Sequence, residues 1–217
     1  MEDIRFLSKY LALVVLIYGL YNYKNYANTK AKYFIFSILY AVLTEFFGSN
    51  FHKWFGIVNY PVYNVFIIVQ LSFYLWWFQT LLESLSRKKI VRLSIFIYLT
   101  FSLLNIIYWQ DFFLGYQTYT YGIGVILVLL SICFYFIETF NKDTILSITD
   151  SVLFWFALGV LLFYGTFMPF MFASKLFLTI DKWIYSLVVF VLNVIMYSCF
   201  AVGFYKSYKN IKESTSL

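Results

Sequence analysis

Trp54–Leu82 reads WFGIVNYPVYNVFIIVQLSFYLWWFQTLL, 29 residues without a charge. A helix crosses the hydrocarbon core of a bilayer in roughly 20 residues, so this stretch predicts a membrane-spanning helix preceded by a short link. Pro61 sits where the first helical turn would begin, a position that loses nothing by lacking an N–H. Four more charge-free stretches follow: 18 residues from Leu93 to Gln110, 26 from Phe112 to Ile137, 24 from Ser151 to Ser174 and 23 from Trp183 to Tyr205. Two further apolar stretches, Ile4–Asn22 and Tyr33–Phe51, carry internal charge. Together they predict an all-α polytopic membrane protein, a seven-transmembrane-helix bundle forming one domain over residues 1–217. Its helices are expected at 4–23, 32–52, 60–84, 90–109, 116–140, 149–174 and 181–207. All connections are short, which predicts antiparallel neighbours. Pro169, after Gly165, is expected to kink the sixth helix.

Composition agrees. Of the 217 residues, 63% are hydrophobic and 12% charged, which excludes a soluble domain and a disordered polyelectrolyte alike. The chain has 21 Tyr, and Tyr-rich segments fall near helix ends (Tyr18–Tyr26, Tyr60–Tyr63, Tyr116–Tyr121, Tyr205–Tyr208), where amphipathic rings meet headgroups. The net charge of +6 comes from Lys and Arg flanking the helices, where they snorkel and meet anionic lipid. Membrane lipid is therefore the expected partner, and nucleic acid is not. Cys133 and Cys199 fall inside predicted helices and read as small packing residues. The acidic start Met1-Glu2-Asp3, with no small-x-small site after the first apolar run, predicts a retained signal anchor.

Lysine and arginine set the orientation. With the N-terminus outside, the cytoplasmic segments hold eleven of these residues, Lys24 to Lys32, Arg87 to Arg92, Lys142 and Lys206 to Lys212, and the outer ones hold five. The expectation is a multi-pass protein of the cell membrane with its C-terminus in the cytoplasm. The Ser86–Arg92 segment, read as a loop, is the strongest determinant. Helices one to three show no residue correspondence with helices five to seven.

Glu45 is the acid that lies well inside a predicted span. A carboxylate there costs at least about 2.5 kcal/mol on insertion scales, so it must be neutral, paired or facing water. Its neighbours at helical spacing, Ser37, Ala41, Gly48, Ser49 and His52, form a small and polar stripe on a Phe-rich helix. Two readings follow: a binding or proton site, or a carboxyl hydrogen-bonded to an adjacent helix for packing. On helix three, Tyr60 and Asn64 share one face, and Tyr63, Gln70, Tyr74 and Trp77 another. Helix six offers Thr166, and helix seven offers Asn193 with Ser186 and Tyr197. Asn105 lies near the outer end of helix four. The candidate ligand-binding residues are thus Glu45, Tyr63, Asn64, Gln70, Thr166 and Asn193, lining an aromatic-walled pocket in the outer half. His52, the single histidine, sits seven residues after Glu45 and is a candidate pH sensor.

The inventory names no catalytic residue, metal ligand or cofactor. Multi-histidine metal chemistry is excluded by one histidine, and no Gly-rich phosphate loop, G-x-S-x-G or H-E-x-x-H occurs. A retinal protein would need a lysine in mid-membrane, and every lysine here lies at or near a helix end. The sequence therefore predicts a receptor-like sensor or binding protein, not an enzyme, that holds a small or lipidic ligand. It would signal through a cytoplasmic partner protein at Arg87–Arg92 or the C-terminal tail. A small transporter or channel coupled by Glu45 is the alternative, and an intramembrane lipid enzyme the third reading.

Overall fold

The computed structural model describes residues 3–141, 145–180 and 182–215. Their regular structure is helical throughout. The long helices are α1 (Asp3–Tyr21), α2 (Phe34–Phe55), α3 (Tyr60–Leu81), α4 (Leu85–Tyr108), α5 (Thr118–Phe140), α6 (Val152–Ile180) and α7 (Lys182–Thr215). One helical turn at Tyr23–Tyr26 and 3₁₀ turns at Lys30–Tyr33 and Ile145–Asp150 occupy the links. Among the described residues, six helices, α2 to α7, are long and apolar enough to cross a membrane. The described apolar part of α1 is the shorter Lys9–Tyr21. By length and composition the chain is a multi-pass membrane protein.

Several helix ends differ from the sequence expectation. α3 stops at Leu81, because Leu82 is extended with ψ 151°. α4 begins at Leu85, five residues before the expected 90, so Ser86–Arg92 is helix and not a loop. Ser84 has the extended geometry of a residue preceding a helix, with φ −61° and ψ 121°. The acceptors for this helix start come from far along the chain. Glu138 on α5 takes the Glu83 N–H at 2.6 Å and the Ser84 N–H at 3.2 Å, and pairs with Arg87 at 3.2 Å. A carboxylate at a helix N-terminus satisfies orphan donors and complements the dipole. α6 continues through Pro169 to Ile180, although proline lacks the N–H that would bond the Gly165 carbonyl. α7 runs to Thr215, so the predicted tail is helical over most of its length.

The chain divides into two compact units, residues 1–38 with 139–217, and residues 39–138. In the first, α6 and α7 pack antiparallel. Lipid tails are as apolar as leucine, so helices associate through close van der Waals contact and small residues. Gly159 provides such a contact: a Cβ there would lie 2.8 Å from Phe200 and 3.1 Å from the Met196 carbonyl oxygen. Gly203 admits Phe156, and Gly19 of α1 admits Phe204, in the same way. Phe34, Phe156, Phe200 and Phe204 form a buried aromatic cluster, with Phe34 and Phe156 stacked at 4.3 Å. Tyr26 closes its end and donates its hydroxyl to the Gly19 carbonyl at 2.7 Å. Burial drives the Tyr26 phenol pKa up, and neighbouring Tyr23 adds to the shift. Lys206 donates to Asp150 at 2.7 Å.

In the second unit α3 is central. α2 runs antiparallel to it, with Tyr40 near Phe66 and Gly48 against Tyr63. α4 is antiparallel on another side, where the Tyr98 hydroxyl donates to the Ile67 carbonyl at 3.2 Å. α5 runs parallel to α3. Gly124 lies against Leu71 and Tyr98, and Tyr135 meets Phe78. α2 ends at Gly56, whose φ of +71° is a left-handed helix cap that glycine adopts at low cost.

Candidate functional site

The links between α2 and α3 and between α4 and α5 meet at one end of the second unit. Asn64, in the second turn of α3, holds the second of them. Its Nδ2 donates to the carbonyls of Phe112 and Gly115, both at 2.8 Å, and its Oδ1 accepts from the Gln117 N–H at 3.0 Å. Asn64 is fully buried, so these bonds form in a medium where an unmade one is costly. Asn105, near the end of α4, is buried beside the same link. Its Nδ2 lies 2.6 Å from Gln117 Oε1, 2.9 Å from Gln110 Oε1 and 3.0 Å from Thr120 Oγ1. Gln117 Nε2 donates to the Gln110 carbonyl at 2.9 Å, and Gln110 Nε2 donates to Thr118 at 2.8 Å. Asp111 accepts from the N–H groups of Phe113 and Leu114. The 109–117 link is therefore a fastened turn built on amide side chains.

Above this network lies an open apolar groove lined by Gly56, Ile57, Val58, Tyr60, Phe113 and Leu114. Tyr116 packs edge-on against Tyr60 at 4.7 Å and tilted against Tyr63 at 6.5 Å. The groove thus has aliphatic and aromatic walls, and two of its lining residues, Phe113 and Leu114, lie between the Phe112 and Gly115 carbonyls that Asn64 holds.

The sequence-derived candidates divide between the units. Glu45, His52, Tyr63, Asn64 and Gln70 belong to the second unit; Thr166 and Asn193 belong to the first. Glu45 is half-buried on α2, with its carbonyl accepting from Ser49 Oγ at 2.6 Å. One turn on, Gly48 is buried, and its carbonyl accepts from Asn59 Nδ2 at 2.9 Å. His52 is exposed, with Nδ1 3.3 Å from the Ile57 carbonyl oxygen. Tyr63 is half-buried beside Gly48 and Tyr116. Gln70 is buried deeper in α3, with Nε2 donating to the Tyr74 hydroxyl at 2.8 Å. Thr166 is exposed on α6, and Asn193 is half-buried on α7 with Nδ2 donating to the Val189 carbonyl at 2.8 Å. Among the described residues no three of His, Cys, Asp and Glu come together as a metal site would require.

The sequence alone does not single out Gln110, Gln117 and Thr120, and it places Asn105 near the outer end of α4 without a role. Their one signal is local. The 105–120 segment carries Asn105, Gln110, Gln117, Thr118 and Thr120 but a single charge, Asp111, which is dense in neutral hydrogen-bonding groups for the end of a membrane span. No protein-family model, curated protein or solved structure matches the chain.

Proposed function

We propose that the chain is a receptor-like sensor or binding protein of the cell membrane, with seven transmembrane helices, an outer N-terminus and a cytoplasmic C-terminus. It would hold a small or lipidic ligand at its outer end and signal through a separate partner protein at the basic start of α4 or the C-terminal helix. The observation that carries this reading is the apolar groove over the fastened 109–117 turn. Ligand sites are typically apolar concavities with a few fixed polar groups, largely formed in advance. Tyr63 and Glu45 would supply contacts below the groove, while Asn64 shapes its floor. His52 stands beside the groove, with its Nδ1 3.3 Å from the carbonyl oxygen of Ile57, and is the proposed pH sensor. Gln70 remains a candidate for a deeper part of the site, whereas Thr166 and Asn193 belong to the other unit and are candidates apart from it.

The orientation has its own test. Reporter fusions at Lys88 and at Asn210 are both expected to report cytoplasm. An outer location for Asn210 would overturn the seven-span arrangement.

A secondary transporter or channel is the alternative, favoured by one observation: Glu45 is only half-buried along a helix long enough to span the bilayer. Proteoliposomes separate the two. Saturable binding of a small amphiphile, without flux, supports the receptor reading. In that case Glu45→Gln is expected to retain the fold and weaken binding about tenfold, the scale of one hydrogen bond to a charged group. Ion or solute flux that Glu45→Gln abolishes would establish transport instead.

A further inference from the structure

We propose that the outward face of α4 binds an anionic phospholipid, whose phosphate is held by the exposed Lys89 and Arg92 with the half-buried Lys88 beside them, and whose acyl chain lies along Leu93, Phe96 and Leu103. The inference needs only the membrane placement of α4; it is independent of the outer-end ligand reading, and it gives to lipid the basic start of α4, leaving the C-terminal helix for a partner protein. Residues 89, 92, 96, 100, 103 and 107 follow one another at helical spacing of three and four, Leu93 lies beside Arg92, and all seven are exposed. The stripe is basic at its start. Beyond Arg92 it is apolar, with Leu93 59%, Phe96 63%, Leu103 62% and Ile107 67% exposed. Eleven residues separate Arg92 from Leu103, about 16 Å of helix, which is about half of a hydrocarbon core of about 30 Å. A molecule with one anionic head and a chain reaching the bilayer midplane matches that layout. A soluble anion would leave the apolar part uncovered, and a soluble protein would have to enter the bilayer to cover it.

Two contacts prepare the basic end. Glu138 accepts from the Glu83 and Ser84 amides and pairs with Arg87, so the backbone amides ahead of α4 and Arg87 are occupied from within the unit. The phosphate-binding role therefore falls to the neighbouring side chains. Arg92 is held by α3: in the amide orientation that satisfies both groups, Gln79 Oε1 accepts from Arg92 Nε and Nη2, each at 3.2 Å. A guanidinium fixed on one edge presents its remaining N–H groups in the planar array that suits a phosphate.

The test is native mass spectrometry of the full chain released from detergent with matched amounts of dioleoyl phosphatidylglycerol and dioleoyl phosphatidylcholine. Wild type is expected to retain the anionic lipid on the order of tenfold more than the zwitterionic one, since each basic residue near an anionic surface contributes measurably. The triple variant Lys88→Gln, Lys89→Gln, Arg92→Gln is expected to fall close to parity. Charge-preserving Lys88→Arg, Lys89→Arg should keep the preference. Lys24→Gln, Lys30→Gln, Lys32→Gln, which removes equal charge from another link, should keep it too. Equal retention of both lipids by wild type would overturn the proposal. So would an undiminished preference in the triple variant, or a loss shared by the Lys24, Lys30, Lys32 control. Competition by millimolar inorganic phosphate that displaces the lipid completely would reassign the site to free anions and also overturn it. Circular dichroism of each variant reports whether it has folded. Should the triple variant fail, the single Arg92→Gln, expected to lose part of the preference, carries the test.

Discussion

Asn64→Leu is expected to release the 109–117 turn and to lower the stability of the protein by about 3 kcal/mol or more. Three backbone groups lose their partner together: the carbonyls of Phe112 and Gly115 and the N–H of Gln117. A typical hydrogen bond contributes about 1 kcal/mol net, whereas a buried group left unmade costs about 1–3 kcal/mol. Gln117 is fully buried, so its amide bears the larger cost. Leucine matches asparagine in branching and heavy-atom count and is the bulkier of the two, which keeps cavity formation out of the comparison. Asn64→Asp keeps the acceptor for Gln117 but sets a carboxyl oxygen against both carbonyls in a fully buried place, and should cost at least as much. The measurement is thermal unfolding in detergent micelles, with fluorescence of Trp109, the residue at the end of α4, reporting on the turn. Wild-type stability for Asn64→Leu would mean that the turn is held by something other than this side chain.

The second large effect is expected at Gly124→Leu. A Cβ at Gly124 would lie 2.6 Å from Tyr98 Cε2 and 2.7 Å from Leu71 Cδ1. Neither neighbour has room to yield, because Tyr98 and Leu71 are essentially fully buried and the Tyr98 hydroxyl is tied to the Ile67 carbonyl. Overpacking a dense core costs typically about 1–3 kcal/mol and occasionally more. Gly124→Ala should lie within that range and Gly124→Leu at its upper end or beyond, since leucine must displace α5 from both α3 and α4. A resistance-to-unfolding series of glycine, alanine and leucine in the same micelles measures this. A flat series would show that the three helices do not approach as closely as this.

The spans were legible because a bilayer imposes a length and a charge rule that short windows of sequence can satisfy. Trp54–Leu82 announces α3 without reference to any other part of the chain. The helix ends were less legible where a distant residue decides them. The local signal near Leu85 is Ser84, a favoured N-cap residue, but its side chain makes no cap bond; the carboxylate that takes the amides before the helix is Glu138, more than fifty residues away. The amide network was hidden for a related reason. Asn64 and Gln117 carry no periodicity that links them, and Gln110 reads locally as the polar end of a span. Glu45 drew notice as a charge in a span, a one-residue anomaly. The neutral amides, which do more to shape the groove end, are anomalous only as a group.

Neutrality of that group has a consequence for how the turn behaves in a working membrane. Asn64, Asn105, Gln110, Gln117, Thr118 and Thr120 neither gain nor lose a proton over the range of acidity that a cell meets. None of them carries a net charge on which the transmembrane voltage could act, whereas a full charge crossing the field would feel about 2.3 kcal/mol per 100 mV. A turn fastened by lysine and glutamate would shift with acidification and with depolarisation. One fastened by amides keeps the same geometry through both. Charge reaches this end through Asp111, which accepts from the Phe113 and Leu114 amides within the link, and through Glu45 on the adjoining helix, so a response to voltage can enter there against amides that stay still.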